Sequence, residues 1–320
     1  MHAASVILLS WAMIGAACFF SDVLAGLTAG LLALLVAVVG LPHGAADHRF
    51  AQPRLEPTFG MAWLPVFLVG YGAVAVTVVC GWFVTPAVTS LVFFLASAWH
   101  FGAEERQCAI GPRWLRQTFR FARGGLVMWV PLVFHGAEVG ETLALMMPHG
   151  SGPAVSHAIA LLTICSWIML AIAAIAWMVQ GLAAMRRTGR TRRVLLADNA
   201  LVASLAVLFA VASPLVGFLV YFCAWHSARG LRRLRVEFGE SWFELAKSLA
   251  PLTAGAIVLI GLMTWLALAR TGWNDTLIRA TFVGLSAVAI PHVLLHGVAP
   301  LFEGPSRRRS TKPLHVGSPA

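Results

Sequence analysis

Charge is what this sequence has least of. Only 11% of its 320 residues are charged and 59% are hydrophobic, with a mean hydropathy of +0.81, whereas a soluble domain carries about 25% charged residues. The length would allow two soluble domains, but no polar stretch is long enough to form one. These deficits define a polytopic membrane protein. Acidic residues are scarcer than basic ones, 13 against 23, for a formal net charge of +10. That excess excludes rather than indicates a nucleic-acid partner, because the basic residues stand in short clusters between apolar runs, as the positive-inside rule requires. The cysteines, Cys18, Cys80, Cys108, Cys165 and Cys223, are odd in number and scattered, with no C-x-x-C. Neither a disulfide framework nor a zinc ribbon is indicated. No Lys or Arg precedes the first apolar run, residues 5–20. A secretory signal wants a basic start, so this run is read as a membrane helix.

What is there is a series of ten expected spans: 4–20, 23–40, 61–84, 87–102, 124–147, 155–180, 194–211, 214–228, 249–269 and 278–301. Several approach the roughly 20 residues that cross a bilayer. All the Lys and Arg residues except Arg270 and Arg279 fall after the even-numbered spans or in the tail. The expected fold is therefore an all-α, polytopic membrane helical bundle of about ten transmembrane helices with both termini cytoplasmic. One integral-membrane domain is expected over 1–302, followed by a basic, disordered cytoplasmic tail over 303–320.

Histidines recur at the inner ends of the even spans. His43 stands in Gly40-Leu-Pro-His-Gly-Ala-Ala-Asp-His48, where Pro42 and Gly44 are expected to end or bend the helix. His100 closes span four, His226 closes span eight, and His292 lies in the inner half of span ten. Four helices of shared direction bring four imidazoles to a similar depth. Neutral imidazole suits Fe, Cu or Zn. The competing reading is four interfacial histidines on separate faces, since matched depth leaves rotational phase open. Asp47, Glu104 and Glu105 are the nearest carboxylates, as ligands or as acceptors that orient the histidines. His135 and Glu138 would share a helix face as a proton relay, a substrate contact or a hydrogen-bonded pair. Trp99 and Trp225, each directly before a motif histidine, are candidates for lining a site. His2, His149, His157 and His315 read as loop or surface residues.

In order along the chain, Gly40-Leu-Pro-His-Gly-Ala-Ala-Asp47, His100-Phe-Gly, Tyr221-Phe-Cys-Ala-Trp-His-Ser227 and Ile290-Pro-His292 resemble the bacteriorhodopsin-related Brp/Blh family of membrane β-carotene 15,15'-dioxygenases. The resemblance runs from about residue 35 to 300. It implies Fe(2+) held by histidines and O2-dependent cleavage of β-carotene at its central double bond into two all-trans-retinal molecules. His43, His100 and His226 match family ligand positions and are the expected catalytic residues. The family's next histidine falls at Gly230, a departure. His292 is the first choice to complete the metal set, before Asp47 and His296, with His48 or a three-histidine site also open. Asp47 and Glu105 are the expected carboxylates beside the cofactor. The implied partners are β-carotene, O2, the lipid bilayer of the inner (cytoplasmic) membrane and a retinal-binding rhodopsin that accepts the product. A carotenoid hydrocarbon resides in the bilayer, and no acid–base group attacks an unactivated polyene carbon, so the chemistry is consistent with a lipid-opening iron site. Two alternatives stand beside it. One is a transporter or a carotenoid- or retinal-binding membrane protein without turnover. The other is a different membrane iron oxygenase, although the dense H-x-x-H-H boxes of di-iron enzymes are absent, Pro291 to His296 coming nearest.

Overall fold

The computed structural model describes residues 2–104, 112–147, 152–268 and 273–302, and every regular element among them is helical. Lipid supplies no hydrogen bonds, so a spanning segment satisfies its backbone within itself, which a helix does. The chain enters through α1 (His2–Phe19) and α2 (Ser21–Leu35), passes a π-helical turn (Val36–Gly40), and continues through α3 (Leu41–Ala45) and α4 (Asp47–Phe59). Next come α5 (Trp63–Val84), α6 (Pro86–Glu104), α7 (Arg113–Gly124), α8 (Leu126–Phe134) and α9 (Gly136–Leu145). The second half holds α10 (Gly152–Met185), α11 (Gly189–Val211), α12 (Pro214–Leu219), a second π-helical segment (Val220–Ser227), α13 (Ala228–Phe238), α14 (Trp242–Leu268) and α15 (Trp273–Phe302). The expected tail over 303–320 lies outside the described residues.

Among the described residues, seven stretches are long and apolar enough to cross a membrane, and one of them, Ser21–Val84, contains both expected spans 23–40 and 61–84. The expected spans 124–147 and 214–228 are absent from that set, and both depart from regular α-helix. Pro131 interrupts α8, and α8 parts from α9 at His135, while α12 gives way to π-helix at Val220. Broken helices persist at membrane depth where they line a cavity, and these two do. Outer faces of α1, α10 and α14 expose large apolar side chains such as Leu8, Trp167 and Val258, as a lipid-facing surface requires.

The break expected at Pro42 is absorbed differently. The turn before it widens, with the Leu41 N–H donating to the Val36 carbonyl five residues back. Pro42 then occupies the first turn of α3, where a missing N–H costs little. The chain bends four residues later, at Ala46, whose carbonyl accepts from the Arg49 N–H at 2.9 Å.

Helix α15 is the central element: it packs on α2, α5, α6 and α14, and its Ser286 accepts the indole N–H of fully buried Trp82 at 2.8 Å. Helices α6 and α7 meet backbone to backbone. A Cβ on Gly124 would run into the Gly102 main chain and the Ala98 carbonyl, so glycine is what lets α7 seat across the end of α6, two residues beyond His100. Both α7 and α13 are amphipathic and rich in arginine, the composition of helices lying along a membrane surface.

Candidate active site

Four elements deliver four imidazoles to one place. His43 comes from α3, His100 from α6, His226 from the second π segment and His292 from α15. Ring centroids are 5.1 Å apart for His43 and His226, 5.2 Å for His43 and His292, 5.2 Å for His100 and His226, and 4.7 Å for His100 and His292. Three of the four, His100, His226 and His292, are buried. The two π turns stand at or just before the histidines of α3 and the second π segment, a placement common at functional sites. One extra residue in a helical turn rotates everything after it by about 100°. That rotation decides which side chain faces inward.

The donor set fits a metal ion. Nitrogens of His43, His100 and His292 lie within 4.8 Å of one another, and so do donor atoms of Asp47, His292 and His296. Nε2 of His292 is 3.2 Å from Nε2 of His100. Two imidazole nitrogens about 2.1 Å from one ion at right angles would be about 3.0 Å apart. On its other side, His292 Nδ1 donates to Asp47 Oδ1 at 2.8 Å. That bond fixes the tautomer and leaves the Nε2 lone pair directed at His100, the carboxylate–histidine arrangement that orients metal ligands. His226 joins the ring cluster but neither donor group, its ring lying against Phe101 at 4.7 Å and Phe222 at 5.8 Å.

Asp47 is a buried hub. Its Oδ1 also receives His296 Nε2 at 3.2 Å, and its Oδ2 receives the Tyr71 hydroxyl at 3.1 Å. The Tyr71 oxygen lies 2.9 Å from the Val288 carbonyl of α15 as well, tying α5 and α15 to the start of α4. Tyr71 was not among the residues singled out from sequence. The signal existed: it is one of only two tyrosines, set inside the apolar run 61–84, where a buried hydroxyl requires a partner.

Gly230, where the resemblance calls for a histidine, packs directly on the His43 ring. A Cβ there would overlap the imidazole. The missing side chain is the space in which His43 sits, and α15 contributes His292 to the same cluster.

The cluster closes one end of an apolar cavity, part of it open to the outside. Its walls include Phe94 of α6, Met128 of α8, Leu143 of α9, Phe218 of α12 and Phe282 of α15, and its polar groups are chiefly the four histidines. The aromatic lining is phenylalanine, not the expected tryptophans. Trp99 is 48% exposed, turned about 100° around α6 from buried His100. Trp225 turns away from the cluster, stacked on His2 at 5.4 Å, which corrects the surface reading of His2. His48 bonds the Ala45 carbonyl at 2.6 Å and takes no part. His135 does pair with Glu138, at 3.3 Å, and with the Ala210 carbonyl at 3.1 Å, closing the break before α9. His157 is exposed, while Glu105, His149 and His315 lie outside the described residues.

Comparison with known proteins follows the same outline. The family described as beta-carotene 15,15'-dioxygenase matches residues 34–298. The beta-carotene 15,15'-dioxygenase of uncultured marine bacterium 66A03 is 27% identical over 271 residues, covering 82% of this chain and 90% of that protein. The probable beta-carotene 15,15'-dioxygenase Blh of Halobacterium salinarum (strain ATCC 700922 / JCM 11081 / NRC-1) is 27% identical over 279 residues, covering 80% and 79%. No solved structure matches the chain.

Proposed function

The chain belongs to the β-carotene 15,15'-dioxygenase family, and on that premise we propose that it cleaves β-carotene with O2 at the 15,15' double bond to give two retinals. The observation that carries this reading is the cavity itself: a phenylalanine-walled space among membrane helices, polar at the end where the imidazoles meet. A polyene hydrocarbon needs the first feature and oxidative cleavage needs the second. The reaction balances, since one C40 hydrocarbon and one O2 yield two C20 aldehydes.

The ligands in this reading are His43, His100 and His292, with His226 completing the ring of imidazoles, and the ion is iron(II). Bound iron supplies O2 activation, which no side chain in the cavity can provide. The remaining work belongs to the chain. Asp47 accepts the His292 Nδ1 proton and keeps that ring in the ligating tautomer. Tyr71 fixes the carboxylate by donating to its other oxygen. Phe94, Phe218 and Phe282 hold the polyene in register along the cavity, and their apolar surface keeps water from the cluster. In this reading it is a multi-pass protein of the cytoplasmic membrane with the arginine-rich ends and both termini inside, an orientation supported by the apolar helices and the basic clusters between the apolar runs. A membrane rhodopsin that takes up retinal is the fitting acceptor for the product.

The test is expression in a host that accumulates β-carotene, with pigment and retinal measured together. Two retinals per β-carotene consumed is the expected result. Pigment retained without retinal favours a binding protein, and longer apocarotenals in place of retinal overturn central cleavage.

A further inference from the structure

One hydroxyl in the apolar cavity has no structural task. Ser97 of α6 is 7% exposed and lines the cavity together with His100. In a lipid-embedded helix a serine or threonine ordinarily returns its hydroxyl to the carbonyl four residues back, because lipid offers no other acceptor. This chain does so repeatedly. Ser10 donates to the Val6 carbonyl at 2.8 Å, Ser166 to Leu162 at 2.7 Å and Ser204 to Ala200 at 2.8 Å. Within α6 itself Ser90 donates to Pro86 at 2.8 Å. The other hydroxyl in the cavity wall, that of Thr142, is tied to the Glu138 carbonyl at 2.9 Å. Ser97 makes no such bond to Phe93, and no other hydrogen bond among the described residues. A buried hydroxyl without a partner is a cost unless a ligand meets it. Ser97 precedes His100 by three residues, about 4.5 Å along α6 and about 60° around it, so the hydroxyl lies beside the imidazole cluster.

We propose that Ser97 recognises the product: its hydroxyl donates to the aldehyde oxygen of a retinal lying in the cavity. The inference rests on the cleavage reading for the origin of that retinal. β-Carotene is a hydrocarbon and offers the hydroxyl nothing. Breaking the 15,15' bond leaves an oxygen on each new chain end, at the cluster and so within reach of Ser97. These aldehyde oxygens are the acceptors that the reaction creates, and in an apolar cavity such an oxygen needs a donor. The bond is made only once the oxygen is in place, so it favours the cleaved state over the bound hydrocarbon.

Ser97→Ala removes the hydroxyl, breaks no hydrogen bond within the protein and puts a better helix former into α6, so the variant is expected to fold. Binding to the iron-loaded full chain in detergent is measured for all-trans-retinal and for the hydrocarbon of the same skeleton, with a methyl group in place of the aldehyde. Ser97→Ala should weaken retinal by about two- to tenfold, the value of one neutral hydrogen bond, and leave the hydrocarbon unchanged. The carbonyl stretch of bound retinal, followed by Raman scattering, should move to higher wavenumber in the variant, which a change of cavity shape alone would not produce. Ser90→Ala, whose hydroxyl is already given to Pro86, should match the wild type in both measurements. Equal weakening of the two ligands overturns the proposal, and so does an unchanged retinal affinity and carbonyl stretch. Retinal formation is scored separately in the β-carotene-accumulating host: its absence from the wild type sinks the cleavage reading, while the binding comparison decides Ser97.

Discussion

Asp47→Asn separates the charge of the hub from its shape. In the wild type one carboxylate oxygen accepts from His292 at 2.8 Å and His296 at 3.2 Å, and the other accepts from Tyr71 at 3.1 Å. An amide of the same outline keeps an acceptor toward His292. Its NH2 meets the Tyr71 oxygen, which is then released to donate to the Val288 carbonyl 2.9 Å away. Hydrogen bonds are thus conserved in number, and folding is retained. What disappears is the negative charge behind the His292 ring, and with it the added basicity of the ligating nitrogen. Loss of such a partner typically costs 10–100-fold in metal affinity or activity, equivalent to about 1.4–2.7 kcal/mol. The assay is iron(II) titration of chelator-stripped protein followed by retinal formation, with thermal melting as a fold control. Asp47→Leu goes further: it leaves the buried His292 Nδ1 without its acceptor, at about 1–3 kcal/mol for an unsatisfied buried group, and should melt earlier as well as lose iron. Wild-type affinity and turnover in Asp47→Asn would refute the argument that this carboxylate tunes the cluster through His292.

Three further outcomes are expected. Gly230→Ala forces a Cβ against the His43 ring, so it should lower thermal stability by about 1–3 kcal/mol and reduce bound iron; a variant that melts and binds iron like wild type means His43 is not held there. Tyr71→Phe removes a donor from a buried carboxylate and should destabilise by about 1–3 kcal/mol, read as an earlier melt in urea or heat, with no change in the melt excluding the bond. Phe218→Trp narrows the cavity beside Phe222 and Phe282 and should cut β-carotene turnover while iron content stays at the wild-type level; loss of iron in step with turnover would put Phe218 in the wrong role.

Much of this architecture was readable before the coordinates, and the boundary of what was readable has a physical cause. Hydropathy and the placement of arginines mark membrane helices because both report on the bilayer, an environment uniform along the chain. Depth was legible for the same reason, and His43, His100, His226 and His292 do come together. Rotational phase was not. Adjacency suggested that Trp99 and Trp225 line the site, but neighbouring helix residues point about 100° apart, and the π turn at Val220–Ser227 shifts the phase further without a sequence mark; phenylalanines line the site instead. Partners distant in sequence were out of reach too: Tyr71 and Asp47 meet only because α5 packs on α4 and α15. Gly230 read as a lost ligand from sequence alone, whereas its neighbour in space, the His43 ring, gives the glycine a use.

The central claim, a single iron site that opens on a hydrocarbon cavity, is tested most directly by stoichiometry. Chelator-stripped protein is titrated with iron(II) under O2 in the presence of β-carotene, and retinal formation is followed against metal added. The account predicts a rise that breaks at about one iron per chain, the capacity of one histidine cluster, with two retinals per β-carotene consumed. A break at about two irons per chain would mean that Asp47, His292 and His296 hold an ion of their own, and retinal formation independent of added iron would contradict the account outright.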